Sequence, residues 1–139
     1  MLFRSRIVAQ GGAITQDSPP ESLHDLRKRA KELRYLLEFF APLHDPVAYR
    51  KVVSDLKQLQ DCLGEFQDSE VQRHEIHTLA DAMLAERAAP AATLLAMGEI
   101  AAKLAISQAE ARTEFAARFG RFAGPAGRER VRVLLEGHP

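Results

Sequence analysis

The sequence lacks tryptophan, contains a single cysteine and carries no net charge. Cys62 cannot form a disulfide within the chain, which excludes a small secreted domain held together by disulfides. Because 19 basic side chains balance 19 acidic ones, the overall charge does not indicate a polyanionic partner. Such a partner has to be argued from local clustering of charge.

Long apolar runs are also missing. The N-terminal residues MLFRSRIVAQ lack the apolar core of a signal peptide. The most apolar stretch, residues 88–106, is interrupted by Pro90, Glu99 and Lys103, so it is not predicted to span a bilayer. We therefore expect a soluble, cytoplasmic protein without a membrane partner.

Alanine, leucine and charged residues dominate instead, and this composition favours helix. Ser18 and Glu21 form a predicted capping box at the start of the first helix, and Asp45, followed by proline, is a second predicted N-cap. Gly64 is expected to end the second helix, because glycine accepts a positive φ, and Asp68 to cap the third. The predicted helices are 18–41, 46–64, 68–88, 90–119 and a short one from Pro125 to before Gly137.

A chain of 139 residues suits one domain. Four long helices with short connections predict an all-α fold, an antiparallel four-helix bundle with a short additional C-terminal helix. Residues 1–17 are expected to be a connecting segment or the remnant of a helix. The bundle itself is predicted to occupy residues 18–137.

The first long helix sorts its side chains into two arcs on a helical wheel. The core side of the wheel carries Leu23, Leu26, Ala30, Leu33, Leu37 and Phe40. Beside it lies a basic arc of ~120°, which consists of His24, Arg27, Lys28, Lys31, Arg34 and Tyr35. Only Glu38 interrupts the basic arc with negative charge. Because this arc borders the core, it should face a groove or a neighbouring element.

The second helix repeats this arrangement more weakly. Its apolar face carries Val52, Leu56, Leu59 and Leu63. Lys57 and Arg50 lie together to one side of that face and would extend the cationic surface if the two helices form an antiparallel hairpin. Guanidinium groups bind phosphate oxygens through paired N–H donors, and cations one helical turn apart, ~5.4 Å, suit an extended chain of phosphates. A solvated charged face is the competing interpretation.

Two segments resemble a known family. Residues 22–35, SLHDLRKRAKELRY, contain His-x-x-Arg-x-x-x-Lys-x-x-Arg-Tyr, and residues 56–64, LKQLQDCLG, contain Leu-Gln-x-x-Leu-Gly, with Asp68 following. Together they resemble the two motifs of the CHAD family, the conserved histidine α-helical domain. The rest of the chain is similar to that family only in its helical layout.

The resemblance implies an all-helical, non-catalytic domain that binds inorganic polyphosphate and associates with polyphosphate granules, without a cofactor. It further implies phosphate contacts from His24, Arg27, Lys31, Arg34 and Lys57. Tyr35 would orient its neighbours or add a hydrogen bond, whereas Lys28 and Arg50 are included only from their wheel positions.

Family members have two similar four-helix bundles around a basic channel, and this chain is long enough for one. It resembles the second half of the domain. We therefore expect either a fragment that pairs with a missing N-terminal half, or a homodimer that rebuilds the channel. A two-fold homodimer is the simplest closed arrangement, because one patch then meets its own copy.

Two other kinds of binding compete with polyphosphate as interpretations of the sequence. His74 and His77 lie at i,i+3, with Glu70 and Asp81 one turn to either side, but a di-metal bundle needs further Glu-x-x-His pairs, so an exposed helix face is favoured. A basic helix can also contact an RNA backbone without reading sequence. The neutral chain has only two tyrosines and no tryptophan for base stacking, which makes nucleic acid the weaker alternative.

Catalysis finds no support in the sequence. It contains no glycine-rich phosphate loop, no nucleophile with an adjacent base and no carboxylate cluster for magnesium in the basic arc. Cys62 lies at the edge of the apolar face of the second helix and is expected to be a small buried hydrophobe. The sequence therefore predicts a binding protein with no catalytic and no metal-ligating residues.

Overall fold

A computed structural model of the chain describes residues 2–136, which form helices and no strand. The helices are α1 (Leu2–Gly12), α2 (Pro20–Phe39), α3 (Pro46–Ala85), α4 (Ala91–Ala123) and α5 (Pro125–Glu136), with a 3₁₀ turn at Ala41–Leu43. The predicted all-α fold class is confirmed, and the helix packing is consistent with a bundle. None of the described helices combines the length and apolar composition needed to cross a membrane.

All five helices contribute side chains to one core. The predicted apolar faces of α2 and of the first half of α3 are confirmed, since each of their members except Phe40 is buried. Phe40 is 40% exposed because α2 ends one residue before it. Helix α1 adds the buried Ile7, and a Cβ at Gly11 would overlap the ring of Phe119, so glycine leaves room for that ring against α1.

Helix α3 corrects the predicted break in the chain. It runs without interruption from Pro46 to Ala85, so Gly64 does not end a helix and Asp68 does not cap one. The buried series Leu59, Leu63 and Phe66 continues through the glycine at helical spacing. The apolar stripe thus keeps the helix intact, because tertiary packing outweighs the cost of one glycine, about 1 kcal/mol.

The two predicted N-caps differ in outcome. The carboxylate of Asp45 accepts a hydrogen bond from the Ala48 N–H at 2.8 Å, as expected. The capping box at Ser18 is wrong: the N-cap of α2 is Pro19, and the Ser18 hydroxyl accepts from the Thr15 N–H at 2.8 Å in the preceding turn. Arg112 of α4 donates to the carbonyls of residues 15, 16 and 18, which ties this linker to the bundle.

The turn after α3 uses arginine where glycine is usual. The N–H of Arg87 donates to the Leu84 carbonyl, and the N–H of Ala88 donates to the Met83 carbonyl. These two bonds form a Schellman motif, which requires a left-handed residue at its centre. Arg87 supplies it with a φ of 56°, a conformation costly for any residue with a Cβ.

The distal parts of α3 and α4 extend beyond the other helices. Between residues 70 and 107, all of which the structure describes, no side chain is buried. We call residues 70–107 the distal hairpin, and residues 2–69 with 108–136 the basal bundle. The half-buried side chains of the hairpin recur at spacings of three and four, which is typical of a two-stranded coiled coil; they include Ile76, Ala80, Met83, Leu94, Met97, Ala101 and Leu104.

A polar cluster marks the junction between the two regions. Arg73 donates to the amide oxygen of Gln108 at 2.5 Å, and the Gln108 amide nitrogen donates to Glu70. Gln108 is only 8% exposed. Because a buried amide must find partners, this cluster fixes the register of α3 against α4.

Candidate functional site

Helix α2 places the basic arc beside the core, as its periodicity predicts. Its apolar side chains are buried, and the adjoining His24, Arg27, Lys31 and Arg34 are half-buried. The arc's remaining members, Lys28 and Tyr35, are exposed. The arc therefore divides into an inner row of four groups and an outer pair in contact with solvent.

The inner row lies along the line where α2 meets α3. Arg34 donates to the side-chain oxygen of Gln60 at 3.4 Å. Closer to the start of α2, a Cβ at Gly64 would lie 3.8 Å from the Arg27 Nε, so the guanidinium of Arg27 lies over this glycine. Contacts that advance along α2 while receding along α3 show that the two helices are antiparallel.

Gly64 does not end a helix, contrary to the prediction from the sequence, but lies next to the side chain of Arg27 in the basic arc. It sits in mid-helix with no positive φ, so backbone geometry does not require glycine there. A Cβ would make ordinary van der Waals contact with Arg27, but a longer side chain would occupy the space of the guanidinium. The missing side chain leaves room for a cation at the surface of α3.

Arg34 is the only member of the arc with an ionic partner in the described chain. Its Nε donates to the Glu38 carboxylate at 3.0 Å. Its guanidinium also lies 5.7 Å from the centre of the Tyr35 ring, within the range of a cation–π contact. Glu38 therefore neutralises one end of the arc, and Tyr35 stacks near the same cation.

Within the described chain, no carboxylate forms an ion pair with the other cations of the arc. Among residues 2–136, the ion pairs involve arginines 34, 118, 130 and 132. Arg27, Lys28 and Lys31 therefore keep their positive charges on one side of α2 without compensation. Such an arrangement is electrostatically unfavourable in the free protein and favours a bound anion.

Two buried polar atoms along this line also lack partners within the part of the chain that the structure describes. They are the Nδ1 of His24 and the side-chain nitrogen of Gln60. Gln60 is 6% exposed, and its oxygen is already engaged by Arg34. A buried polar atom without a partner costs about 1–3 kcal/mol, and both nitrogens are shielded from solvent in the free protein.

Sequence reasoning did not place Gln60 in the site. Its position at the border of the apolar face of α3 was a usable signal, because the facing border of α2 carries the cations. Tyr49 lies near the same end of the arc, where burial, followed by the Glu38 charge, raises the pKa of its hydroxyl. The tyrosine therefore remains a neutral hydrogen-bonding group at physiological pH.

The two predicted cations of α3 diverge in their surroundings. Lys57 and Arg50 are both exposed and have no ionic partner among the described residues. Arg50 lines a groove on another side of α3 together with Lys51, Arg121 and Arg130. Its inclusion in the basic surface of α2 stays a prediction, and a second cationic region is present.

The histidine pair His74 and His77 is exposed on the distal hairpin, as favoured from the sequence. Within residues 2–136, no group of three or more His, Cys, Asp or Glu side chains is placed to hold a metal ion. Cys62 is fully buried and donates to the Ala111 carbonyl at 2.9 Å. Burial raises the pKa of its thiol to about 11, which makes it an inert core residue and a poor nucleophile.

Comparison with known proteins gives one family. A comparison with curated proteins finds no significant match. The family model described as the CHAD domain matches residues 3–77, which is more than half of the 139 residues. This stretch contains all of α1 except Leu2, all of α2, most of α3, the whole basic arc, Arg50 and Lys57. On that match, the chain belongs to the CHAD domain family.

Proposed function

We propose that this protein binds inorganic polyphosphate along the basic arc of α2, as a binding module without catalytic activity. The observation that carries the proposal is the inner row of cations, half-buried against α3 and uncompensated except at Arg34. Membership of the CHAD family supports it, because polyphosphate binding is known for that family in general.

The spacing of the row suits this ligand. Arg27, Lys31 and Arg34 recur once per helical turn, ~5.4 Å along the axis. A linear chain of phosphates carries negative charge along its whole length, so successive turns of the helix would meet successive charged groups. Arg27 offers paired N–H donors, and Lys31 adds a compact point charge.

The unpartnered amide nitrogen of Gln60 would add a neutral contact. Gln60 lies beside Arg34, whose guanidinium donates to its side-chain oxygen, and its nitrogen is buried without a partner in the free protein. A small side-chain movement on binding would let a phosphate oxygen accept from this amide. The site would therefore combine charge attraction with hydrogen bonds from defined positions.

The first test is a double charge reversal with a matched control. Arg27→Glu with Lys31→Glu should weaken polyphosphate binding about 100-fold or more, because each contact is a charge-assisted hydrogen bond worth about 1.5–3 kcal/mol. The control, Arg29→Glu with Lys103→Glu, makes the same change in net charge at exposed positions outside the arc. Titration calorimetry at fixed salt measures both.

Neither arc substitution removes a core side chain, so the double variant should keep its helical circular dichroism and its unfolding midpoint. An affinity equal to that of the control variant would overturn the site. The salt dependence offers a second reading: the slope of log affinity against log salt should become shallower by about 2, since two phosphate contacts are lost.

RNA is the alternative ligand, since phosphate backbones share this chemistry. Competition between polyphosphate and a single-stranded RNA of equal charge separates the two. Polyphosphate should displace the RNA, whereas RNA should displace polyphosphate poorly, because the exposed aromatic side chains of α2 available for base stacking, Tyr35 and Phe39, lie at one end of the arc only. Equal competition would favour a non-specific backbone binder.

We further propose that the arc is completed by a second copy of the chain or by another half-domain. Exposed apolar side chains lie at the corner between α2 and α3, where Phe39 is 78% exposed, Leu43 61% and Val47 51%. Such a patch usually marks an interface. Sedimentation at tens of micromolar, with and without polyphosphate, should show a dimer stabilised by the polyanion. A strict monomer in both conditions would favour a partner on another polypeptide.

Polyphosphate binding also implies a place in the cell. We expect the protein to collect in the cytoplasm on polyphosphate granules. A fluorescent fusion should overlap a polyphosphate stain, and the Arg27→Glu and Lys31→Glu double variant should lose that overlap. Persistence of the overlap in the variant would contradict recruitment through the arc.

A further inference from the structure

A second cationic region lies away from the basic arc, in an open groove of about 770 Å³ between α3 and the junction of α4 with α5. Its cations come from three helices: Arg50 and Lys51 from α3, Arg121 from the end of α4, and Arg130 from α5. Residues far apart in the sequence therefore converge here through folding.

The charge in this groove is only partly compensated. Arg130 donates to the Asp55 carboxylate at 2.5 Å and to the Arg121 carbonyl at 3.2 Å. Asp55, 8% exposed, is the only acidic side chain among the described residues that lines the groove. Within the groove, one carboxylate thus faces four cations. Lys51 and Arg130 also border an adjoining cavity that Asp45 and Glu129 line, but Glu129 is itself paired with Arg132, so positive charge exceeds negative on this side of the protein.

The remaining cations are free to meet a ligand. Arg121 donates to the amide oxygen of Gln58 at 2.6 Å, and this neutral acceptor orients the guanidinium without cancelling its charge. Arg50 and Lys51 are exposed and have no ion pair within residues 2–136. Ser54, on the same wall, adds a hydroxyl. The groove therefore offers oriented and mobile cations together with one neutral hydrogen-bonding group.

We infer that this groove is a second anion site, which binds a condensed phosphate of a few units. Guanidinium groups converging from three helices suit the oxygens of adjacent phosphates better than a single carboxylate. The volume lies in the range of small-molecule sites, about 300–1,000 Å³. Arg121 and Arg130 lie outside the residues 3–77 that the family model matches, so this site does not depend on the function proposed for the arc.

The test uses inorganic tripolyphosphate as the probe and titration calorimetry as the readout. Lys51→Glu with Arg121→Glu should weaken tripolyphosphate binding at least 10-fold relative to the wild type. Both side chains are exposed, so the helical circular dichroism should be retained. The matched control is again Arg29→Glu with Lys103→Glu, which changes the net charge equally and should lower the affinity by less than 3-fold.

The arc variant separates this site from the proposed function. In the background of Arg27→Glu with Lys31→Glu, calorimetry should still detect a tripolyphosphate site, and adding Lys51→Glu with Arg121→Glu should weaken that remaining site at least 10-fold. If the groove variant also weakens long-chain binding, the groove receives part of a long chain. If long-chain affinity is unchanged, the groove serves a separate short oligophosphate. Both results support the site.

Chemical protection gives a readout that needs no substitution. Tripolyphosphate should slow the acylation of the Lys51 amine several-fold, while Lys103, exposed on α4, should react at an unchanged rate. Mass spectrometry of the modified peptides measures both in one sample. No binding at millimolar tripolyphosphate, an unchanged affinity in the groove variant, or equal rates at Lys51 with and without the probe would overturn the inference.

Discussion

The basal bundle and the distal hairpin are built from the same two helices, yet they differ in what surrounds them. In the bundle, α3 and α4 pack with three further helices, and every buried side chain of the described chain lies there. In the hairpin they pack only on each other, and no side chain is buried. The same two continuous helices, α3 and α4, therefore have buried side chains in the bundle and none in the hairpin.

The difference shows that the length of a helix does not by itself determine its stability. The core of the bundle stabilises its helices through many buried contacts, whereas the helices of a two-stranded hairpin are stabilised only by one seam of half-buried residues. Segments with few buried contacts open at lower free energy than the core around them. The bundle should therefore set the global stability, and the hairpin should open locally.

The largest expected effect compares the same substitution in both regions. Leu33 is 1% exposed in the bundle, and Leu33→Ala should lower the free energy of unfolding by about 2–5 kcal/mol. Leu104, half-buried in the hairpin, should cost only about 1 kcal/mol because much of its surface stays in water. Urea unfolding of both variants measures this, and equal costs would remove the distinction between the regions.

High pH should act on the bundle through Cys62. Burial raises the pKa of this thiol from its ordinary 9.0 to about 11. The contribution of the neutral thiol to the free energy of unfolding is therefore fully present below pH 9 and is lost as the pH rises toward 11. Two pKa units correspond to about 2–3 kcal/mol.

The measurement compares the pH dependence of unfolding in the wild type and in Cys62→Ala. The wild type should lose more stability between pH 9 and pH 11 than the variant, because only the wild type contains a thiol to ionise. Parallel curves would show that the thiol titrates normally and is not enclosed by the bundle.

A smaller effect should appear in the hairpin at Arg87. Its positive φ of 56° is unfavourable for a side chain with a Cβ and natural for glycine. Arg87→Gly should therefore stabilise the α3–α4 turn by about 1 kcal/mol. The control Arg87→Ala keeps the Cβ and should gain nothing.

Amide hydrogen exchange locates that gain. Protection should rise in the distal hairpin and stay unchanged in the bundle, since the two regions open separately. A uniform rise over both regions would instead mean that they unfold as one cooperative unit.

The smallest effect concerns Gly64, in the bundled half of α3. Alanine fits there, since a Cβ would lie 3.8 Å from Arg27 Nε, so Gly64→Ala should stabilise the protein by about 0.5–1 kcal/mol. Gly64→Leu would instead occupy the space of the Arg27 guanidinium. We expect weaker polyphosphate binding from the leucine variant with its helical content unchanged, and equal binding by both variants would argue against the packing of Arg27 on this glycine.

Local pattern was sufficient to predict α2 and the positions of its side chains. Leu23, Ala30 and Leu37 are buried, and Arg27 and Lys31 flank them, because a 100° rotation per residue fixes which side chains share a face. The cap at Asp45 was equally local, since its partner is the N–H three residues later. Features set within one helical turn can thus be predicted from sequence.

Features set by distant residues could not be predicted in this way. The helix continues through Gly64 because packing on α2 and α4 outweighs the glycine penalty. Ser18 caps no helix because its hydroxyl serves the preceding turn, which Arg112 of α4 holds by its carbonyls. The second cationic groove likewise forms only when α5 brings Arg130 to Asp55.

Because α3 is unbroken, a tilt of its bundled part displaces the end of the distal hairpin. Residues 46–69 are held by the bundle, and residues 70–85 extend about 24 Å beyond it. A tilt of α3 by about 10° would therefore swing the tip of the hairpin by about 4 Å. Spin labels at the exposed Leu84 and Arg6 would register such a swing as a change in the distance between the tip of the hairpin and α1.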